Sequence, residues 1–368
     1  MQRDNLLVGG RYLVVGHLGR GAFGDAFLVK DANDDVKYVL KCSKTVDGND
    51  AVLSEAQNLL TTTCDHVVHC FRVWTEPEFS RCCMLLEYCD GGDLEEYLRL
   101  NFPLPERDLV SMFTQLLLGL DHIHLKHLIH RDIKLQNLML HRTTGIVKIG
   151  DFGLSKALGY TDEASATRLG TPMYVSPEVM KGLQYTRKTD VWSMGVAFYR
   201  LMTNTLPFPA TSIVELYENF NTKSPVHPCR IQNGYSEFLG DLIMKMLSKS
   251  RSKRPNVREL LALPLFTQVL GACPWRSPRL GGAKYLFACR PMVIVNVRSS
   301  PSFEAECIAQ LTYGDHVFSG SEELSSEGDV WHHILYPLEG YSVTTANGHR
   351  LFQPVNDPTR HSSISSLK

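Results

Sequence analysis

The chain has 368 residues, 43% of them apolar, with a formal net charge of −1. That length exceeds one small domain, the apolar content supports a sizeable core and excludes wholesale disorder, and the charge gives no bulk attraction toward nucleic acid or a membrane. No apolar segment follows a basic start in residues 1–16, and charges break the longest apolar runs well short of the ~18 residues a spanning helix needs, so a cytoplasmic protein without membrane or nucleic-acid partners is expected. Of ten cysteines, five lie between Cys64 and Cys89 without C-x-x-C spacing, which favours reduced, buried thiols over a metal site there.

From Tyr12 to about Leu85, short β-branched and aromatic runs alternate with Gly, Asn and Asp turns. Tyr12–Val15, Ala26–Lys30 and Tyr38–Lys41 read as strands, and Asn49–Leu60 as a helix with apolar residues at helical spacing behind Asn and Asp. From about Leu94 the pattern turns helical. Leu109–His124 is amphipathic, Val191–Met202 is nearly all apolar and predicts a buried helix, and Ser236–Met246 and Val257–Leu263 follow. The histidine run His122, His124, His127 and His130 sits in helix-then-strand spacing and reads as packing, not as a metal cluster. A β-rich lobe followed by a helical one suits an enzyme that holds its ligand where the lobes meet. Residues 267–289, rich in Pro, Gly and Arg, read as a linker. Residues 290–356 return to short strands between turns, the pattern of a small all-β barrel, and residues 357–368 read as a flexible tail.

The chemistry lies in four strings. Gly19-Arg20-Gly21-Ala22-Phe23-Gly24 is a G-x-G-x-x-G turn between strands, whose glycines let backbone amides fold over phosphates; a dinucleotide fingerprint would open a helix instead. Lys41 ends a strand, where its ammonium can reach the α- and β-phosphates, and Glu55, mid-helix between apolar positions, is its natural partner. In His130-Arg131-Asp132-Ile-Lys134-Leu-Gln136-Asn137, Asp132 is placed to orient a hydroxyl and accept its proton, and Lys134 to neutralise a moving phosphoryl group. Asn137 and Asp151, the latter opening Asp-Phe-Gly, supply hard oxygens of the kind Mg²⁺ takes, with Mn²⁺ as an alternative. With Gly170-Thr171-Pro-Met-Tyr-Val-Ser-Pro-Glu178 as a peptide platform, the set describes phosphoryl transfer from ATP to protein.

Residues 12–266 resemble the eukaryotic protein kinase family throughout, with a bilobal α+β fold implied. Lys134 and Thr171 mark the serine/threonine branch, and the combination with Glu87-Tyr-Cys89-Asp-Gly-Gly-Asp93-Leu is most similar to the NIMA-related kinases. The resemblance implies that Glu87 and Cys89 bind adenine through their backbone behind the gatekeeper Leu86, that Asp93 contacts ribose, and that Met139 forms the floor. It further implies that Asp190 anchors the loop of Asp132, that Glu178 pairs with Arg254, and that Leu59, His130, Phe152 and Cys70 stack into a spine. Ala26 and Val39 exchange the family's usual Val and Ala over the adenine, a compensated swap. Gln136 replaces a Glu common in basophilic kinases, which argues against strong selection for upstream Arg. Thr167, with Ser165 and Thr161 as lesser sites, is the expected activating phosphorylation position, its phosphate facing Arg131 and Lys156.

Val295-Asn-Val-Arg-Ser-Ser-Pro301, Gly314-Asp-His-Val317, Trp331-His-His-Ile334 and Gly340-Tyr341 resemble the bacterial-type SH3 domain. Trp331, Tyr336 and Tyr341 could line a peptide groove, although alternate strand positions favour a core role for at least two of them. The resemblances imply protein substrates, a peptide or protein ligand for the C-terminal module, a monomer, and an association with cytoskeleton or flagellum. A pseudokinase scaffold acting through the SH3-like module is the alternative, disfavoured by the complete set Lys41, Glu55, Asp132, Asn137 and Asp151; a small-molecule kinase is disfavoured by the Gly170–Glu178 platform.

Overall fold

The structure, a computed structural model, describes residues 7–20, 24–43, 64–76, 81–151, 172–232, 234–266, 269, 284–288, 295–300, 302, 304–305, 307–311, 316–324, 330–336, 340–343, 345–346, 349–350 and 352–354. The chain forms two compact units, Met1–Asn256 and Val257–Lys368.

The first unit opens with six strands, β1 (Leu7–Val8), β2 (Tyr12–Arg20), β3 (Gly24–Asp31), β4 (Lys37–Ser43), β5 (Cys70–Glu76) and β6 (Arg81–Glu87). They form one antiparallel sheet in the order β1-β2-β3-β4-β6-β5. The period-two pattern sorts its faces. Tyr12, Val29, Leu40, Cys42, Cys83 and Leu85 make one apolar cluster, with Val14, Phe27, Tyr38 and Trp74 packed against it. Ala26, Leu28, Val39, Lys41 and Leu86 alternate with these residues and share the other face, in the register Ala26↔Lys41, Leu28↔Val39 and Val39↔Leu86. The expected helix Asn49–Leu60 lies outside the described residues.

The helical part carries α1 (Leu94–Asn101) and α2 (Glu106–Leu125), then a 3-10 turn at Leu135–Asn137 and the hairpin β7 (Leu138–Leu140) and β8 (Val147–Ile149). Next come α3 (Pro177–Met180), α4 (Arg187–Thr203), α5 (Ile213–Thr222), α6 (Pro228–Ile231) and α7 (Glu237–Met246). As its composition predicts, α4 is buried on nearly every side. It starts where Thr189 Oγ1 accepts from the Thr186 N–H (3.0 Å) and ends at Asn204 in the left-handed region (φ +54°). Phe198 stacks on Phe113 of α2 with ring centroids 3.6 Å apart. Gly195 lets α7 cross closely, since a Cβ there would stand 2.9 Å from the Met246 Cβ. The strand anticipated before His130 does not form. The chain leaves α2 through His127 at φ +59° and runs without regular structure into the loop, because backbone groups there bond to side chains, as described below.

The second unit holds α8 (Val257–Leu261) and strands β9 (Lys284–Ala288), β10 (Val295–Arg298), β11 (Cys307–Leu311), β12 (His316–Leu324), β13 (Val330–Tyr336), β14 (Gly340–Val343), β15 (Thr345–Ala346), β16 (His349–Arg350) and β17 (Phe352–Pro354). Seven of them form a sheet ordered β11-β10-β14-β13-β12-β9-β17, and β15 pairs with β16. One difference from the sequence reading is that β9 lies inside the stretch read as linker. Its Tyr-Leu-Phe-Ala run is too short to stand out between Pro- and Gly-rich flanks, yet it pairs with both β12 and β17. Trp331 is fully buried, so it belongs to the core of this unit and not to a surface groove; the side chains of Tyr336 and Tyr341 are not among those described. No disulfide joins the described cysteines, and among the described residues no helix is long and apolar enough to cross a membrane.

Candidate active site

Asp190 organises the site. Its carboxylate is buried in the first turn of α4, where an unpartnered charge would cost several kcal/mol. It is fully partnered. Oδ2 accepts from the backbone N–H of His130 (2.9 Å) and from His124 Nε2 (2.9 Å), and Oδ1 accepts from the N–H of Arg131 (3.0 Å). These bonds hold Arg131 at φ +70°, a conformation that costs a non-glycine residue about 1–3 kcal/mol unless its surroundings impose it.

His130 continues the chain of contacts. Its Nε2–H donates to the Gly150 carbonyl (2.9 Å) and its Nδ1 accepts from the Asp132 N–H (3.2 Å), which defines a neutral ring. Burial also holds it below the usual histidine range, against the opposing Asp190 charge. One imidazole therefore spans the backbone beside Asp132 and the residue preceding Asp151. Asp132 Oδ2 receives Lys134 Nζ (2.7 Å) and Asn137 Nδ2 (2.9 Å), and the same amide nitrogen caps the Asp132 carbonyl (2.7 Å). With Nδ2 committed, Asn137 has Oδ1 left to offer a cation. Its backbone carbonyl accepts from the Gly150 N–H (2.7 Å), so the two ends of the β7–β8 hairpin bring Asn137 and Asp151 together. Asp151 adopts φ +53° and forms an ion pair with Lys41. Burial pushes the Lys41 ammonium down to about 8, the Asp132 carboxylate opposing. The arrangement thus gathers a cation from the sheet and three oxygen-bearing side chains from the helical part.

The sheet face supplies the ceiling. Lys41, Val39 and Ala26 share it with Leu86, and Met139 lies opposite Asp93 in an isolated bridge that joins β7 to the segment following β6. Two features of that segment and of the end of β6 escaped the sequence reading. Gly91 and Gly92 pair with Leu140 through Gly91 N–H to Leu140 O and Leu140 N–H to Gly92 O, both 2.8 Å. A Cβ on Gly91 would fall 2.5 Å from that carbonyl oxygen, and Gly92 has φ +73°. The Gly-Gly pair was itself the signal. The Glu87 side chain, assigned only a backbone role, accepts from Lys148 Nζ (2.9 Å), His141 Nε2 (2.9 Å) and the His69 N–H (3.1 Å). Burial raises its carboxyl, but Lys148 and these bonds outweigh that and hold it below the usual range. Asp93 spends its Oδ1 capping α1 through the Glu96 N–H (2.9 Å). Gly21, Ala22, Phe23, Glu55, Leu59, Phe152, Lys156, Thr161, Ser165, Thr167, Gly170 and Thr171 lie outside the described residues; Gly19, Arg20 and Gly24 end β2 and open β3.

The expected Glu178–Arg254 pair is present, buried and bidentate, with both oxygens at 2.5 Å from guanidinium nitrogens. Arg254 also donates to the carbonyls of Ser248 (2.8 Å) and Lys188 (3.0 Å) and lies over the Trp192 ring, 4.9 Å from its centroid. It therefore ties α3 to α4. On the other side of the loop, Glu95 is bridged by Arg200 and by Gln136 Nε2 (3.2 Å), so its charge is already answered within the protein.

The protein kinase domain family matches residues 12–266. The chain is 32% identical over 266 residues to serine/threonine-protein kinase Nek5 of Homo sapiens, covering 71% of this chain and 37% of that protein. It is 36% identical over 253 residues to serine/threonine-protein kinase Nek8 of Danio rerio (67% and 35%) and 34% identical over 254 residues to serine/threonine-protein kinase Nek4 of Mus musculus (67% and 31%). The chain thus spans about a third of the length of these curated relatives. A family match over most of the chain, on a strand-rich lobe and a helical lobe that bring Lys41, Asp132, Asn137 and Asp151 together, establishes that the chain belongs to the protein kinase family.

Proposed function

We propose that the chain is a NIMA-related protein serine/threonine kinase that moves the ATP γ-phosphate to hydroxyl groups of protein substrates. The observation that carries this reading is the convergence on Asp132. Lys134 and Asn137 hold one of its oxygens, leaving the other to orient a substrate hydroxyl and accept its proton late in transfer. Lys134, bonded to Asp132 from two residues away, also neutralises charge on the transferring group. Lys41, now on Asp151, exchanges that partner for nucleotide phosphates. Asn137 and Asp151 are the residues to hold Mg²⁺, which supplies charge neutralisation between the phosphates when bound; the oxygen left on Asn137 and the cation already drawn to Asp151 fit that demand. Leu86, Val39, Ala26 and Met139 enclose the adenine, and the backbone of Glu87 and Cys89 reads its edge.

The reading extends to activation by a phosphate on Thr167. It is supported by Arg131, whose guanidinium stacks 5.4 Å from the Tyr185 centroid while its buried Nε makes no hydrogen bond. Residues 290–356 are proposed as an SH3-like module for a protein or peptide ligand, supported by an antiparallel sheet with a Trp331 core. A monomer in the cytoplasm, associated with cytoskeleton or flagellum, completes the proposal. Incubation with Mg·ATP and a generic protein substrate tests the activity. Transfer to Ser/Thr that is lost in Lys41→Met and Asp151→Asn supports it, and equal signal in wild type and both variants refutes it.

A further inference from the structure

A second group of ligating side chains lies outside the machinery described so far. His227 stands at the residue preceding α6 and Cys229 sits in its first turn, while Glu237 and Asp241 lie one turn apart on α7. One ligand atom from each of His227, Cys229 and Glu237 falls within 4.8 Å of the others. His227 Nδ1 is 3.6 Å from Glu237 Oε2 and Nε2 is 3.4 Å from Asp241 Oδ1. Nε2 is buried yet makes no hydrogen bond, and the Cys229 thiol donates to the Ser236 carbonyl at 3.4 Å with the backbone N–H of Gly240 beside it.

The surroundings are built to bring these groups close. Gly240 faces them from α7: a Cβ there would lie 2.3 Å from His227 Cε1, 2.8 Å from Nε2 and 2.9 Å from Cys229 Sγ. The intervening loop is tied down at two points. Ser236 donates from N and Oγ to Glu106, both at 2.6 Å, and the Tyr235 hydroxyl donates to the Leu104 carbonyl at 2.8 Å. Ordinary ion pairing of a histidine with two carboxylates would need neither the thiol nor a glycine in front of it. One thiolate, one imidazole and a carboxylate are the donor set that suits zinc. Bonds of about 2.0–2.3 Å in a tetrahedron place donor atoms roughly 3.3–3.8 Å apart, so the group needs a contraction of about 1 Å.

We propose that His227, Cys229 and Glu237 bind a zinc ion that staples α6 to the first turn of α7, with Asp241 fixing the ring. Nδ1 takes the metal beside Glu237, Nε2–H donates to Asp241 as an outer partner, and binding releases the thiol proton to solvent without any change of oxidation state.

The full chain, stripped with chelator, is titrated with Zn²⁺ against a chromogenic chelator, and with Co²⁺ to observe thiolate-to-cobalt charge transfer. Wild type is expected to take up one more equivalent than Cys229→Ser or His227→Gln and to show a charge-transfer band that Cys229→Ser lacks. Asp241→Asn is expected to weaken binding by about 10- to 100-fold. Zinc raises the thermal midpoint of wild type but not of Cys229→Ser or His227→Gln, while phosphoryl transfer with Mg·ATP stays unchanged in all variants that fold. Equal zinc uptake in wild type and Cys229→Ser, or a cobalt complex without the thiolate band, overturns the proposal. Should Cys229→Ser fail to fold, Glu237→Gln at the exposed position reads the same loss: an affinity unchanged from wild type overturns the proposal equally.

Discussion

Replacing Asp190 with Asn tests the loop architecture most directly. The carboxylate accepts three hydrogen bonds from two elements, the N–H groups of His130 and Arg131 and the ring of His124. An amide keeps one oxygen acceptor, so its NH₂ must face either the Arg131 N–H or the His130 and His124 donors. One or two buried donors lose their partner, each at about 1–3 kcal/mol. That loss matches the roughly 1–3 kcal/mol needed to hold Arg131 in the left-handed region, so the turn that presents Asp132 relaxes. The expected unfolding cost is about 2–4 kcal/mol, a midpoint lower by roughly 4–16 °C at about 2–4 °C per kcal/mol. Displacement of Asp132 by ~1 Å would lower kcat about 100-fold with little change in KM for ATP, since the nucleotide face is untouched. Differential scanning fluorimetry and initial rates at saturating ATP measure both. A variant with wild-type midpoint and kcat within twofold refutes the reasoning.

Other outcomes follow from the same geometry. Glu178→Gln should cost about 3–5 kcal/mol in denaturant unfolding, because it leaves the buried Arg254 charge unanswered, whereas Glu178→Leu with Arg254→Met should recover most of it; equal losses in single and double variants would contradict this. For Lys41, whose folded value near 8 lies below the ordinary 10.5, the unfolded chain binds more protons between those values, so stability should rise with pH across about 8 to 10.5. Lys41→Met should flatten that slope in thermal scans of the nucleotide-free protein. Gly91→Ala should raise KM for ATP and cost about 1–3 kcal/mol, since the added methyl meets a backbone carbonyl that cannot step aside; a KM equal to wild type would count against the close approach. Glu87→Gln, read by the same ATP titration, should weaken nucleotide binding by unpairing Lys148 behind the segment that follows β6.

How far the residues speak for themselves varies along the chain. Strands with period two and the apolar run of α4 were legible, because each records in local order which face meets the core. Asp132, Asn137 and Asp151 stood out as candidates because side chains of those types at short intervals suit phosphoryl chemistry, and the structure brings them together. Asp190, Glu178 and Arg254 were assigned through resemblance, and the structure supplies the distances that explain them. The double engagement of Glu87, the capping use of Asp93 and the pairing of β9 with β12 and β17 had no local signature.

By itself the amino-acid order pointed to the family, to a set of candidate reacting groups and to the alternation of lobes, since these depend on side-chain type, short spacing and periodicity. Only the tertiary structure decided which buried charges meet, which way the His130 ring is protonated, why Gly91 must lack a side chain, and that His227, Cys229, Glu237 and Asp241 face one another across a loop. The physical reason is range. Propensity and hydrophobic period act over a few residues, whereas partners such as Glu178 and Arg254 are brought together across 76 positions by packing of the whole domain.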